Sequence, residues 1–481
     1  MNVLGINSVF HESSASLLVD GKVVAACEEE RFNRVKHAKQ SRVDNPHELP
    51  EQAIRFCLDF AGLQASEINR VAYSFDPLLR CAEYRADWWP DVQMEADFLR
   101  CLGEVGDATD RILRRKLGRA LKFVPHHLAH AASAYYPSGF DAAAILVVDG
   151  IGEVACSTLA RGEGARIETI ETFSYPHSLG FVWEHASVHL GFSPYDASKA
   201  MGLAAYGDPD VYRRELATII QVSEDSNQVD LGALGFPSFD PKGFEPLLGP
   251  RRNPEAEILP QHMDFAAALQ ATTNSAVLAL LRRLERSAGG KRLCVAGGVA
   301  LNCVTNELIR QLGGFSDIFI PSAPHDAGPA IGAALAVHCD ERGIRPAPSG
   351  ATPYLGPQFD ERKVLAAVKE AGLGHVEART HLAMLPTWSP TEILSGGFKA
   401  AWSSGRARLA IDPCLPIPAG LTRALSSTAG SSTEKISGPS RPACWPNAPT
   451  NGSKLARIWR VMSTCCLPVR QKPSAAIVFQ L

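Results

Sequence analysis

The chain has 481 residues, of which 46% are hydrophobic and 21% charged, and its formal net charge is -3. This balance argues against a dedicated nucleic-acid or membrane surface, and no apolar run approaches the roughly 20 residues of a membrane helix. The length predicts two or three domains. Because no basic segment precedes the first apolar run and the 12 cysteines form no CxxC pair, we expect a cytoplasmic protein with reduced thiols.

The first 125 residues predict strands and helices around one polar loop. Strands are predicted at 3–5, 14–19, 22–27, 71–75 and 122–124, with a tight hairpin turn at Asp20-Gly21. Helices are predicted at 49–61 and within 76–120, where Trp88, Trp89 and Phe98 are expected to be packing residues. The loop after the first strand, NSVFHESSA, contains His11 and Glu12. These two residues are candidate ligand contacts, and the alternative is an ordinary solvated turn.

The segment 125–153 carries the candidate metal ligands. His126 and His130 are four residues apart, so on a helix both imidazoles lie on one face and can share an ion. Asp149 ends an apolar strand, and Gly150 follows it directly. A carboxylate at a strand end, beside a glycine that lets a ligand approach the backbone, is typical of a metal or phosphate site. The alternative for an HxxxH pair is two unrelated surface histidines.

The segment 193–209, SPYDASKAMGLAAYGDP, is polar and contains several small residues. Lys199 within it is a candidate contact for an anion. A lone lysine before a glycine is usually solvated, which is the alternative.

The second half of the chain repeats the pattern of a strand followed by a glycine-bearing loop and a helix. Gly297 and Gly298 follow one strand and open a helix, which places backbone N–H groups where a phosphate or nucleotide can bind. Asp326 follows the next strand, as Asp149 follows an earlier one. Such repeated units predict two similar lobes that face a cleft.

Six motifs carry a resemblance to a known family. They are VLGINSVFHESSASLLVDGKVVAACEEERFNRVKH, HHLAHAASAYYPSGF, VVDGIGE, SKAMGLAAYGDP, AGGVALNC and PHDAGPAIGAAL. In this order they resemble the O-carbamoyltransferases of the NodU/CmcH family, over about residues 1–375. Members of that family carbamoylate lipochitin oligosaccharides or antibiotic sugars.

The resemblance implies an α/β fold of the actin-like type, a duplicated ribonuclease-H-like domain akin to the universal tRNA threonylcarbamoyltransferase, followed by a YrdC-like domain. We expect the first lobe at 1–150 and the second lobe, with the nucleotide-binding loop, at 151–345. The YrdC-like domain would start at 346–378. Residues 379–481 are expected to be an aberrant, disordered tail.

The resemblance also implies a two-step reaction. The YrdC-like domain makes carbamoyladenylate from ATP and carbamoyl phosphate, and the N-terminal domain transfers the carbamoyl group to a small-molecule hydroxyl. A divalent metal, expected to be iron, would be held by His126, His130, Asp149 and Asp326. The cofactor-binding residues would be Gly150, Gly297, Gly298 and Asn302, of which the last three match the nucleotide-binding loop. The catalytic residues would be His11, Glu12 and Lys199. Contacts to the acceptor or carbamoyl group are expected at His11 and Glu12, and Lys199 lies within a matched motif.

The resemblance stops before a family segment reading close to GRMEFGPRALGNRS, where this chain reads KAAWSSGRARLAIDPC at 399–414. Codons for 401–413 can be chosen so that another frame reads MEFGPRALGNRS, so we hypothesise a frameshift between about 374 and 399. Residues 401–481 contain ten basic and two acidic residues, whereas the preceding 400 have a net charge of -11. A tail of this composition predicts no packed core.

The sequence leaves two further functions open. The first is a threonylcarbamoyltransferase acting on tRNA, although the acidic first 400 residues count against a nucleic-acid partner. The second is a non-catalytic metal- and nucleotide-binding remnant, which follows if the frameshift has removed the adenylating domain.

Overall fold

A computed structural model describes residues 1–40, 45–83, 92–223, 227–231, 234, 241–348, 352–372, 375–377, 398–403, 406–411 and 476–478. The chain forms two compact units, Met1–Pro357 and Gln358–Leu481. Among the described residues, no helix combines the length and the apolar composition that crossing a membrane requires.

The first lobe of unit Met1–Pro357 is built on a five-stranded sheet. Its strands are β1 (Asn2–Asn7), β2 (Ser14–Val19), β3 (Lys22–Glu28), β4 (Arg70–Tyr73) and β5 (Leu121–Phe123). Their order is β3-β2-β1-β4-β5. The pairs β1–β2 and β2–β3 are antiparallel, whereas β4 and β5 run parallel to β1. The predicted hairpin turn lies between β2 and β3, where Asp20 and Gly21 both have positive φ.

The second lobe repeats this topology. Its strands are β6 (Ala142–Val148), β7 (Ala155–Glu163), β8 (Arg166–Ser174), β11 (Arg292–Ala296) and β12 (Asp317–Phe319). A short hairpin, β9 (Ile220–Val222) with β10 (Asn227–Val229), lies between β8 and β11 in the chain. The sheet order is β12-β11-β6-β7-β8, with antiparallel β6–β7 and β7–β8 pairs and parallel β6–β11 and β11–β12 pairs.

Because order and strand directions match the first sheet one for one, the fold is the duplicated ribonuclease-H-like, actin-like α/β fold that the sequence predicts. The predicted lobe boundary at residue 150 does not coincide with the boundary between the two sheets. The first strand of the second sheet, β6, already begins at Ala142, so the second lobe starts before that boundary.

Fourteen helices are described. They are α1 (Glu30–Asn33), α2 (Glu51–Ala61), α3 (Pro77–Glu83), α4 (Val92–Gly103), α5 (Val105–Leu113), α6 (His126–Tyr135), α7 (Leu179–His189), α8 (Ala197–Ala204), α9 (Arg213–Ile219), α10 (Glu245–Leu248), α11 (Pro260–Ala288), α12 (Cys303–Leu312), α13 (Pro329–Arg342) and α14 (Glu361–Glu370). The region 76–120, predicted to be helical, contains α3, α4 and α5. Phe98 is a buried packing residue there, as predicted. Trp88 and Trp89 lie outside the described residues.

Two helices pack against each other between the sheets and thereby join the lobes. Helix α6 packs on β6 and β11 of the second sheet, and α13 packs on β1 and β2 of the first sheet and on α6. Small residues permit α13 to lie close to α6 and to β1. A Cβ on Gly332 of α13 would lie 1.7 Å from the carbonyl oxygen of Ala129, and a Cβ on Gly5 of β1 would lie 1.9 Å from that of Ala330. The alanine- and glycine-rich sequences of both helices therefore fix the distance between the lobes.

The unit Gln358–Leu481 is described only in short pieces. Helix α14 begins at a capping residue, Asp360, whose side chain accepts a hydrogen bond from the N–H of Lys363. Strand β13 (His375–Glu377) pairs in parallel with β16 (Ala476–Val478), and β14 (Phe398–Ser403) pairs antiparallel with β15 (Arg406–Ile411). Most of the predicted tail at 379–481 lies outside the described residues. The assignment of 346–378 to a YrdC-like domain stays a prediction.

Candidate metal centre

Four side chains predicted as metal ligands converge at one point in unit Met1–Pro357. His126 and His130 lie on successive turns of α6, Asp149 follows β6 directly, and Asp326 lies in the loop before α13. All four residues are buried. The strand β6 is itself buried along nearly all its length, so its carboxyl end places Asp149 deep beneath the surface.

The facing atoms of these four residues all lie within 4.8 Å of one another. The two histidine Nε2 atoms are 3.1 Å apart. Oδ2 of Asp149 lies 3.5 Å from each of them. Oδ1 of Asp326 lies 3.4 Å from Nε2 of His126 and 3.3 Å from Nε2 of His130. Each residue thus presents one donor atom to a common centre.

This donor set fits a divalent metal. Four ligand atoms about 2.1 Å from one ion in tetrahedral geometry are about 3.4 Å from one another, and the observed separations bracket that value. Two imidazoles and two carboxylates suit iron, zinc or manganese, whereas thiolate ligands would select softer ions. The geometry therefore accommodates the metal that the sequence predicts.

The hydrogen bonds of His126 also favour a ligand role. Its Nδ1 lies 3.0 Å from the carbonyl oxygen of Ser74. Since a carbonyl oxygen only accepts, Nδ1 carries a proton, and Nε2 is the ring atom that faces the centre and would bind a metal ion in place of a proton. The Nδ1 atom of His130 is buried and has no hydrogen-bond partner among the described residues.

Without a bound ion, the close approach of these ionisable groups shifts their pKa values. Burial alone would lower the pKa of His126, but hydrogen bonds with Asp149 and Asp326 outweigh it and raise that pKa well above its usual value. Burial likewise acts to raise the pKa of Asp149, yet His126 and His130 hold it well below its usual range. Burial and the charge of Asp149 act to raise the pKa of Asp326, but hydrogen bonds with the same two histidines help to hold it below its usual value. Both acids are therefore ionised at neutral pH, which is the state that binds a cation.

The glycine turn after β11 holds Asp149 in place. Its Oδ1 accepts a hydrogen bond of 2.7 Å from the backbone N–H of Gly298, which leaves Oδ2 to face the histidines. Gly297 adopts φ +94°, and a Cβ there would lie 2.2 Å from the carbonyl oxygen of Val148. The predicted nucleotide loop thus contacts the metal-ligand strand directly, and only glycine permits that approach.

The other predicted nucleotide contacts have structural partners within the chain. The carbonyl of Gly150 accepts a hydrogen bond of 2.6 Å from Ser178 Oγ, and Ser178 caps helix α7. Asn302 caps α12 by accepting from the N–H of Thr305, and its Nδ2 donates to Gln270 at 2.9 Å. The amide of Asn302 is thus used to hold the helix, and its contact with a nucleotide stays a prediction.

Sequence reasoning missed Glu153, the last residue of the VVDGIGE motif. Its carboxylate accepts hydrogen bonds from the backbone N–H of His126, at 2.9 and 3.1 Å, and from that of Asp76 at 2.7 Å. The N–H groups at a helix start need acceptors because they have no partner within the helix. Glu153 therefore holds the first turn of α6, on which the first ligand lies, and only its position in a matched motif pointed to it.

His11 and Glu12 lie beside the centre. Nε2 of His11 is 3.8 Å from Oδ2 of Asp326, whose other oxygen faces the ligand histidines. Glu12 contacts two histidines that sequence reasoning missed, His37 at Nδ1 and His325 at Nε2, both at 2.5 Å. Burial acts to raise the pKa of Glu12, but the charge of His325 and the hydrogen bonds with His325 and His37 together outweigh it and hold that pKa well below its usual value. Glu12 thus links the loop after β1 to the segments that contain His37 and His325.

Lys199 lies on α8 and pairs with Asp196, whose Oδ2 is 2.8 Å from its Nζ. The other oxygen of Asp196 accepts from Lys36 at 3.0 Å. The side chain of Lys199 is 37% exposed. The ammonium group is thus engaged by a neighbouring acid, and its predicted contact with an anion stays a prediction.

A further acidic group near the centre is Glu184 on α7, which sequence reasoning also missed. Its Oε1 would lie 3.8 Å from a Cβ built on Gly150. Burial and then the negative charges of Asp149 and Asp326 raise its pKa to about 8. No local motif marks this residue, because only the packing of α7 on the turn at Gly150 brings it here.

Comparison with known proteins identifies the family. The family described as Carbamoyltransferase N-terminus matches residues 2–335. An uncharacterized protein of Synechocystis sp. is 33% identical, over 84% of this chain and 68% of its own length. Nodulation protein NolNO of Sinorhizobium fredii is 32% identical, over 77% of this chain and 52% of its own length. The chain therefore spans about half of that nodulation protein.

Among solved structures, HypF of T. kodakarensis has a TM-score of 0.40 at 14% identity, covering 71% of this chain and 48% of that chain. The family match extends through both sheets and through all four candidate metal ligands. On this match over more than half of its length, the chain belongs to the carbamoyltransferase N-terminus family.

Proposed function

We propose that this chain transfers a carbamoyl group from carbamoyladenylate to a hydroxyl group of a small molecule. The observation that carries the proposal is the position of Asp326. One of its oxygens faces the two ligand histidines, and the other lies 3.8 Å from Nε2 of His11. A candidate proton acceptor thus lies directly beside the candidate metal centre, as group transfer to a hydroxyl requires.

The proposed step is a simple displacement at the carbamoyl carbon. The acceptor hydroxyl oxygen attacks this carbon, and the bond from the carbon to the bridging phosphate oxygen breaks. AMP leaves with that oxygen, and the hydroxyl proton passes to Nε2 of His11. The chain would position the reactants, because His11 and the candidate metal ligands lie on different segments around the reacting atoms.

Iron is the metal we propose, held by His126, His130, Asp149 and Asp326. When bound, it would stabilise negative charge on the phosphate and carbamoyl oxygens. The glycine turn at Gly297 and Gly298 would lie against the nucleotide, next to its contact with Asp149. Elemental analysis of protein purified without chelators tests the metal, and zinc or manganese in place of iron would correct its identity.

ATP and carbamoyl phosphate are the proposed sources of carbamoyladenylate, through a YrdC-like adenylating domain. The hypothesised frameshift would remove that domain from this chain. We therefore propose that the chain retains the transfer step and depends on an intermediate that it does not make. Purified full-length chain is expected to release no AMP from ATP and carbamoyl phosphate.

The deciding experiment supplies carbamoyladenylate directly to the metal-loaded chain with a panel of hydroxyl acceptors. Lipochitooligosaccharides and aminoglycoside sugars belong in that panel because members of the family that the sequence resembles act on them. Carbamoylated acceptor, detected by mass spectrometry, would support the transfer function. If metal binds but no acceptor is carbamoylated, the alternative of a non-catalytic metal- and nucleotide-binding remnant replaces it.

The composition of residues 401–481, with ten basic and two acidic residues, is the observation that favours the remnant. A threonylcarbamoyltransferase acting on tRNA is the weaker alternative, because the first 400 residues have a net charge of -11. Binding of tRNA with an affinity that falls steeply as the salt concentration rises would support this alternative. We further propose a cytoplasmic location, where ATP and carbamoyl phosphate are made.

A further inference from the structure

The four candidate metal ligands are covered by the surrounding chain. His126 and His130 are fully buried, and Asp149 and Asp326 are only 6% and 4% exposed. Because folded interiors are close packed, an ion can reach or leave such covered donor atoms only when neighbouring groups move. The contacts around the centre therefore decide which movement gives access to it.

One border of the centre is formed by contacts between the two lobes, which we call the latch. It consists of three first-lobe residues and two second-lobe residues, namely His11, Lys36, His37, Tyr195 and Asp196. Nζ of Lys36 donates a hydrogen bond of 3.0 Å to Oδ1 of Asp196. The ring centroid of Tyr195 lies 5.1 Å from that of His11 and 5.5 Å from that of His37, at distances typical of aromatic packing. The two lobes are thus held together by an ion pair and by ring contacts.

The latch lies between the centre and solvent. Nε2 of His11 is 3.8 Å from Oδ2 of Asp326, while the side chains of His37 and Lys36 are 18% and 65% exposed. Nδ1 of His11 and Nε2 of His37 are buried and have no hydrogen-bond partner among the described residues. Separation of the latch would expose both nitrogens to water, and the hydrogen bonds gained there would offset part of the cost of opening.

The junction formed by α6 and α13 is of a different kind. A Cβ on Gly332 of α13 would lie 1.7 Å from the carbonyl oxygen of Ala129 on α6, so the two backbones are in close contact. Close packing of this kind resists separation, because no water can replace the lost contacts at equal density. The latch, in contrast, contains polar groups that water can solvate. The packing therefore favours a rotation of the lobes about the α6–α13 contact that separates the latch.

We propose that the latch is a gate that holds the lobes closed over the candidate metal centre and sets the rate at which an ion enters and leaves, an inference that rests on the proposed metal centre. Entry and exit both pass through the open state, so a weaker latch speeds both by the same factor. The affinity for the ion then stays the same. A residue that orients a ligand would instead change the affinity.

The test compares wild type with Lys36→Met in the full-length chain. The matched control is Lys116→Met, which removes a similar ion pair within the first lobe. Nζ of Lys116 lies 3.1 Å from Oδ2 of Asp110, and the two side chains are 85% and 15% exposed. The values for Lys36 and Asp196 are 3.0 Å, 65% and 11%. Both substitutions thus remove a lysine charge from similar surroundings, but only the first ion pair joins the two lobes.

Access to the centre is measured first in the metal-free chain. Diethyl pyrocarbonate modifies accessible imidazoles, and peptide mass spectrometry follows its reaction with His126 and His130. Metal exchange is measured next, as uptake of Fe²⁺ by the metal-free chain and as extraction of Fe²⁺ by excess bipyridine. The ratio of the two rates reports whether the affinity has changed.

We expect Lys36→Met to raise the rates of modification, uptake and extraction about threefold, the effect of losing one partly exposed ion pair. The Kd for Fe²⁺ should stay close to its wild-type value. Because salt screens an ion pair, the modification rate should rise more steeply with ionic strength in wild type than in Lys36→Met. Lys116→Met should behave as wild type in every measurement.

Equal modification rates in wild type and Lys36→Met would overturn the gate. Faster extraction without faster uptake would overturn it too, since the Kd would then rise and Lys36 would support the metal ligands instead. A wild-type chain that takes up no Fe²⁺ would refute the proposed metal centre, whereas the modification rates would still decide whether the latch controls access. The two failures are therefore distinguishable.

Discussion

Glu12 contacts His325 through Oε2 and Nε2 at 2.5 Å, and His325 immediately precedes the candidate ligand Asp326. The same carboxylate contacts His37 at 2.5 Å through Oε1. Glu12 has φ +59°, in the left-handed region that non-glycine residues seldom occupy. One acid in a constrained backbone position thus ties the first loop to the loop that carries a metal ligand.

Replacement of Glu12 by Gln is expected to destabilise the chain by about 3 kcal/mol, because loss of one partner leaves a buried histidine charge uncompensated. Chemical denaturation measures this change. The control is Glu51→Gln, whose exposed pair with Arg55 on α2 is worth under about 1 kcal/mol. Equal effects of the two substitutions would show that Glu12 is not a structural link.

Replacement of His130 by Ala is expected to abolish metal binding, since it removes one of four converging donors. His127→Gln is the matched control on the same helix, because Nδ1 of His127 contacts Thr158 Oγ1 at 2.7 Å and the residue is outside the donor set. Metal content measured by mass spectrometry should be lost in the first variant and retained in the second. Retention in both would remove His130 from the ligand set.

Replacement of Glu153 by Gln is expected to lower metal affinity by about 10- to 100-fold, the usual effect of losing a group that orients a ligand. The neutral amide is a weaker acceptor for the N–H groups of His126 and Asp76 than the carboxylate. Competition with a chelator measures the affinity. Glu163→Gln, at an exposed residue of β7, should leave it unchanged, and an equal loss there would point to a nonspecific charge effect.

Replacement of Gly297 by Ala should destabilise the second lobe by at least about 2 kcal/mol, because the new Cβ meets the carbonyl oxygen of Val148 at 2.2 Å. Gly290→Ala separates this clash from backbone strain. Gly290 also has positive φ, +82°, but nothing lies within 4 Å of its Cβ position. Thermal unfolding should therefore show a clearly smaller loss at Gly290, and equal losses would mean that strain alone explains both.

Acid should weaken the second lobe through His189. Burial, together with the charge of His262 and against that of Glu245, lowers its pKa to about 4, below the value of about 6.5 in an unfolded chain. The unfolded state therefore binds more protons as pH falls from about 6.5 to 4, and stability drops by about 3 kcal/mol at most. Denaturation at several pH values should show this slope, reduced in His189→Asn. An unchanged slope would contradict the assignment.

The candidate ligands illustrate which residues sequence reasoning can find. The spacing of His126 and His130 is a local pattern, and Asp149 directly follows an apolar strand, whereas Asp326 was added to the set by the resemblance to the family. Such residues are predictable because a helix turn and a strand end have fixed geometry. Glu153, His37 and His325 were missed because their roles depend on where a loop passes relative to a distant helix.

The sequence by itself determined the α/β class and, through six contiguous motifs, the family, because strand and helix periodicities and motifs are local properties of the chain. The actin-like fold and the four candidate ligands followed from the resemblance to that family. Only the tertiary structure decided how two sheets share one topology, why Glu12 links loops, and that Tyr195 meets His11 from the other lobe. Those relationships depend on the packing of α6 against α13. The distance between these helices depends on residues far apart in sequence, because the absence of a side chain at Gly332 lets α13 approach the backbone carbonyl of Ala129.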